Sequence, residues 1–204
     1  MKKRILSLLI FLFALSIIGC SSEKPEAWQN AYETFLNDYE FLNDSDIIDL
    51  SDENTIYSYA VRDLDDCGVS ELLLFQQDSR NALNAVLTVY SYDGNVYKIG
   101  QYSNLKGSFI GGFRLSENPL FPGLFEVWWG GGEDHYGYLS IEDGELVYEY
   151  LWHDDRTIEP PHQTMFSDNQ EIINESFHLH LLDNSTDNLL EIYLINSENI
   201  DEIH

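Results

Sequence analysis

Basic residues and cysteines are what this 204-residue chain has least of. Ten Lys and Arg stand against 36 Asp and Glu, giving a formal charge of −26. A chain so acidic is repelled by phosphate backbones and by anionic lipid head groups, so no nucleic-acid partner is expected. Only two cysteines are present, Cys20 and Cys67. Signatures of chemistry are scarce as well. There is no G-x-S-x-G elbow, and the one glycine run lacks the basic residue and the helix start of a phosphate loop. The six histidines form no recognisable metal motif. His178 and His180 are two apart on an expected strand, hence on one face, and His153 and His162 join them only if the fold brings them near. Among so many acids, pairs of carboxylates arise by chance and do not argue for a glycosidase.

What is present begins at the N-terminus. Lys2, Lys3 and Arg4 precede Ile5–Ile18, an uncharged run broken only by Ser7 and Ser16. A basic start, a short apolar segment and small residues at its end mark a secretory signal peptide. The run is shorter than the roughly 18 apolar residues a membrane span needs. Ile17-Ile18-Gly19-Cys20 resembles a bacterial lipobox. That resemblance implies cleavage after Gly19 and a diacylglyceryl group on the Cys20 sulfur, with palmitate-type acyl chains. Two chains anchor stably where one holds marginally. The expected organisation is therefore residues 1–19 as lipoprotein signal peptide, 20–25 as lipid-anchored tether and 26–204 as one domain. Loss of the first three basic residues leaves 7 basic against 36 acidic, a mature charge of −29. With the Cys20 sulfur taken by lipid, Cys67 is expected to stand alone, without an intramolecular disulfide.

The mature part reads as α+β, mainly β. Glu26 to Leu42 places Trp28, Tyr32, Phe35, Leu36, Tyr39 and Leu42 at helical spacing. From Thr55 the pattern changes to short runs rich in β-branched and aromatic residues. These are 55–61, 71–76, 85–92, 96–102, 108–115, 124–129, 136–141 and 146–152. Asp93-Gly94 and Asp143-Gly144 sit between such runs, a strong hairpin signal. The two hairpins resemble one another, which suggests a duplicated unit. The expected fold is an N-terminal amphipathic helix followed by an antiparallel β-meander, as a twisted or barrel-like sheet. Residues 154–163 read as a loop around Pro160-Pro161, and 168–176 as a short helix capped by Ser167 or Asp168. Residues 177–182 and 189–195 read as two more strands, and 197–203 as a terminal helix.

Asp63-Leu64-Asp65-Asp66-Cys67-Gly68-Val69-Ser70-Glu71-Leu72 resembles the D-x-D-x-D-G-x-x-E/D-L loop of integrin-α-type calcium-binding repeats. The resemblance implies Ca²⁺ held by the side chains of Asp63, Asp65 and Glu71 and the carbonyl of Val69, since Ca²⁺ takes six to eight hard oxygens. Cys67 departs from the pattern, a soft sulfur where an acid is usual. Without an ion the same residues form an acidic turn between strands. More widely, R-D-L-D-x-x-G-x-x-E-L-L-L at 62–74, the Y-x-Y-D-G-x-V hairpin and I-Y-x-I-N-x-E-N-I at 192–200 resemble secreted lipoproteins of clostridia-like, monoderm bacteria. This implies a location and no activity.

A second constellation is Trp128-Trp129-Gly130-Gly131-Gly132-Glu133-Asp134-His135. Aromatic faces beside carboxylates and a histidine suit a glycan, cell-wall or protein ligand. Its bland counterpart is a glycine-rich hairpin with one Trp inward and one outward by strand alternation. The expected protein is a binding module on the outer face of the cytoplasmic membrane, with or without one structural Ca²⁺. The alternative is a cell-wall- or carbohydrate-directed hydrolase, which a cleft lined by Trp and two converging carboxylates would favour.

Overall fold

The computed structural model describes residues 25–43, 55–78, 81–105, 112–130, 132–159, 162–181, 188–195 and 200. The signal segment, Cys20 and most of 197–203 lie outside them.

Helix α1 (Pro25–Asn37) starts at a proline, whose fixed φ suits the first helical turn. Trp28, Tyr32, Phe35 and Leu36 are its buried face. A 3₁₀ turn follows at Glu40–Asn43, and Phe41 joins the same cluster. The chain then makes two antiparallel sheets. Sheet A consists of β1 (Thr55–Arg62), β2 (Glu71–Asp78), β3 (Asn81–Tyr92), β4 (Val96–Leu105) and a short β10 (Tyr193–Leu194), in the order β10-β1-β2-β3-β4. Sheet B runs β5-β6-β7-β8-β9, with β5 at Phe113–Leu115, β6 at Leu124–Gly130, β7 at Glu133–Glu142, β8 at Glu145–Asp155 and β9 at His162–Met165. Helix α2 (Gln170–Leu181) follows β9.

Strand alternation divides the side chains of each sheet. In sheet A, Tyr59, Leu72, Leu74 and Tyr90 pack under α1, with the Phe35 and Tyr90 rings 4.8 Å apart. Ala60, Leu73, Phe75, Leu87 and Val89 face the other way, into a core shared with Phe113, Leu124 and Leu139 of sheet B. The far side of sheet B carries Phe125, Val127, Tyr136, Leu151 and Trp152, against Ile172 and Leu179 of α2. The order of layers is helix, sheet, sheet, helix.

The mainly β, antiparallel character and the N-terminal helix agree with the sequence reading. A barrel-like sheet does not form: among the described residues β4 and β5 are not paired, and the strands divide into two open sheets. The Asp93-Gly94 hairpin closes β3 on β4 and the Asp143-Gly144 hairpin closes β7 on β8. In the second, Asp143 and Gly144 both have positive φ, 53° and 80°, the backbone a two-residue turn of this type requires. Residues 177–181 are helical, not a strand, and of the loop expected over 154–163, residues 154–155 extend β8 and 162–163 begin β9.

Candidate functional sites

The acidic loop joins β1 to β2. Asp63 closes it as a turn: its Oδ1 accepts the Cys67 N–H at 3.1 Å and its Oδ2 the Gly68 N–H at 2.8 Å. Asp65 Oδ1 also accepts from Cys67 N, at 3.1 Å. The loop brings the Asp63 and Asp65 carboxylates within 4.8 Å of each other. Glu71 is turned inward. It is 1% exposed, its Oε2 accepts the Leu64 N–H at 2.8 Å and its Oε1 the Ser91 hydroxyl at 3.3 Å. Burial first, then the nearby Asp65 and Asp63 charges, push its carboxyl up to about 8 against those hydrogen bonds. Asp65 is shifted upward too, chiefly by burial. A cavity of about 360 Å³ opens beside the loop, lined by Asp65, Val69, Glu71, Tyr92 and Tyr97 among others. Of the four expected ligands, Asp63 and Asp65 converge, Val69 and Glu71 line the cavity, and the Glu71 oxygens are engaged by Leu64 and Ser91.

Cys67 differs from expectation. It is disulfide-bonded in the structure, and the only other cysteine of the chain is Cys20, outside the described residues. A disulfide and a lipid thioether compete for that one sulfur, which is why a lipidated Cys20 excludes the crosslink.

The second constellation lies where β6, β7 and β8 end. In the ladder, Trp128 is the partner of His135, and His135 of His153; one row on, Gly130 pairs with Glu133 and Glu133 with Asp155. Alternation therefore sets Trp128, Glu133, His135 and His153 on one face. The Trp128 and His135 rings are 4.6 Å apart, and the His135 and His153 rings stack at 4.3 Å, 11° from parallel. His135 Nε2 is 3.2 Å from Glu133 Oε2, and His153 Nε2 is 3.9 Å from the same oxygen. The other His135 nitrogen, Nδ1, bonds the Tyr150 hydroxyl. Burial and the Glu133 charge raise the Tyr150 pKa, so this hydroxyl keeps its proton. Tyr150 in turn stacks on the exposed Phe166 at 4.5 Å. Asp134 belongs to the opposite face, 5% exposed and bonded to Arg156 at 2.6 Å. The expected ligand set is thus split: Trp128, Glu133 and His135 come together, and Asp134 does not join them. Trp129 pairs with Asp134 in the ladder; its side chain lies outside the described residues.

His153 as a partner of His135 is what sequence reading missed. Counting outward from the Asp143-Gly144 turn pairs Glu142 with Glu145 and Gly137 with Tyr150. Continued, that count sets His135 opposite Trp152. A bulge between Tyr136 and Gly137 shifts the register by one. Leu151 and Trp152 both turn towards α2, and His153 falls opposite His135. The row Trp129, Asp134 and Asp154 carries two acids, both bound to Arg156 at 2.6 and 3.8 Å. Glu133 and Asp134 are parted by the sheet.

Set against known proteins, the chain matches no family model, no curated protein and no solved structure.

Proposed function

We propose that this chain is a lipid-anchored protein on the outer face of the cytoplasmic membrane that acts as a non-catalytic binding module. The anchor rests on the lipobox ending at Cys20. The binding role rests on one observation: Trp128, His135 and His153 form a continuous row of rings along strand ends. Aromatic faces held on a sheet offer apolar contact at low entropic cost, and Glu133 at the row's edge supplies a hydrogen-bond acceptor. Such a surface suits the ring faces of a wall glycan. One Ca²⁺ in the 63–71 loop belongs to the same reading, supported by the convergence of Asp63 and Asp65 beside an open cavity.

The test is a panel of peptidoglycan fragments and neutral glycans offered to the full chain in detergent. Stacking is less screened by salt than the pull of the −29 mature charge. Binding should therefore survive moderate salt. Trp128→Ala should weaken it at least tenfold while far-UV circular dichroism stays unchanged. No binding to any panel member, or equal binding by folded Trp128→Ala, would overturn the proposal.

A further inference from the structure

We infer that Glu133, His135 and His153 form a three-ligand site for one late first-row divalent ion, for which Zn²⁺ is the probe. The site shares Glu133, His135 and His153 with the surface described above and rests neither on the anchor nor on glycan binding. It starts from His153 Nε2, a nitrogen shut off from solvent with no hydrogen-bond partner. A buried polar atom left so is costly, and native structures seldom tolerate it. The Glu133 carboxylate lies 3.9 Å from this nitrogen. Both nitrogens and the carboxylate oxygen lie within 4.8 Å of one another. Bonds of about 2.0–2.1 Å in a tetrahedral zinc site place neighbouring ligand atoms roughly 3.3 Å apart. The 3.2 and 3.9 Å separations from Glu133 bracket that figure; the two imidazoles, stacked 11° from parallel, turn out of the stack when both in-plane lone pairs meet one ion.

The donor set selects the ion. Two imidazoles with one carboxylate suit zinc and its neighbours, while Ca²⁺ and Mg²⁺ want oxygen alone. Three protein ligands leave a fourth position open, as in sites that bind an exogenous group. The Glu133 side chain, 38% exposed, marks the solvent approach. Around the ligands is the support such a site needs. Tyr150 bonds His135 Nδ1 and accepts its N–H once Nε2 holds metal. Trp128 packs against the His135 ring on the side of β6. Asp155, paired with Glu133 in the ladder, adds negative charge one row away.

Zn²⁺ is titrated into the full chain by calorimetry with a competing chelator, and Co²⁺ binding is followed by its ligand-field absorption. Wild type should bind one Zn²⁺, with a tetrahedral Co²⁺ spectrum. His153→Gln and His135→Gln should each lose at least tenfold in affinity, with urea midpoints in chelator showing that they fold. His178→Gln, on the exposed side of α2, should bind as wild type, as should Asp63→Asn/Asp65→Asn. Unchanged affinity in folded His153→Gln, or loss confined to the loop variant, would overturn the assignment, as would failure of wild type to bind one equivalent.

Discussion

Glu71 shows how a single residue is set against its surroundings. A carboxyl at 1% exposure, with two aspartates nearby, is held neutral up to about pH 8. The unfolded chain releases that proton near pH 4.5. Between the two values the folded state binds more protons than the unfolded one, so stability falls as pH rises through that window. Each pH unit crossed costs about 1.4 kcal/mol, so the whole loss amounts to a few kcal/mol. Glu71→Gln removes the ionisation and keeps an oxygen for Leu64 N–H. In chelator, urea unfolding should show the variant more stable than wild type at pH 8 and little different at pH 4.5. Parallel pH profiles would refute this. Millimolar Ca²⁺ at pH 8 provides the second arm. Binding to the native loop alone raises the melting temperature of wild type by mass action and should do so less in the variant.

At the scale of elements, α2 shows where the pattern misleads. Phe177, Leu179 and Leu181 alternate with His178 and His180, a two-residue period that reads as a strand. The wider spacing of Ile172, Ile173, Ser176 and Leu179, all buried, is the helical period that wins. Asn169 caps the helix, its Oδ1 accepting from Glu171 N at 3.1 Å, one residue beyond the Ser167 or Asp168 expected. The face is fixed by a polar contact. Trp152 Nε1 donates to Ser176 Oγ at 2.8 Å, and that hydroxyl donates to Ile173 O at 2.7 Å. Ser176→Ala leaves a fully buried indole N–H without a partner, and should cost about 1–3 kcal/mol. Chemical denaturation checks it, and a change below a few tenths of a kcal/mol would show that the contact carries no stability. Glycine and tyrosine complement each other just as closely. A Cβ on Gly137 would lie 2.0 Å from the Tyr148 hydroxyl oxygen, and Tyr148 is stacked on Tyr102 at 4.3 Å. Hairpins and strand alternation were legible because their signals are local. The bulge that delivers His153 has one local mark, Gly137 inside its strand, but a lone glycine fixes neither the presence nor the direction of a register shift.

For the molecule as a whole, the sequence told strands from helices well but not how the strands divide. Whether a meander continues or splits depends on whether β4 pairs with β5, the next strand along the chain, and the strand pattern reads the same either way. A longer separation, 47 residues, lies between Cys20 and Cys67, where two chemistries compete for one sulfur. In the lipidated protein the Cys20 sulfur is a thioether and two acyl chains hold the membrane stably. In the crosslinked protein, a bond closing the chain between residues 20 and 67 would contribute about 4 kcal/mol by the chain-entropy argument, and no anchor would exist. The proposal of a lipoprotein predicts the first. Mass spectrometry of protein extracted from membranes should find Cys20 at the N-terminus carrying diacylglycerol. A reducing agent should leave the urea midpoint of that protein unchanged. Cys20→Ser should accumulate as precursor or be released from the membrane. A non-reduced digest that yields a linked Cys20–Cys67 peptide, with Cys20→Ser as firmly membrane-bound as wild type, would overturn the anchor and leave the crosslink as the use of both cysteines.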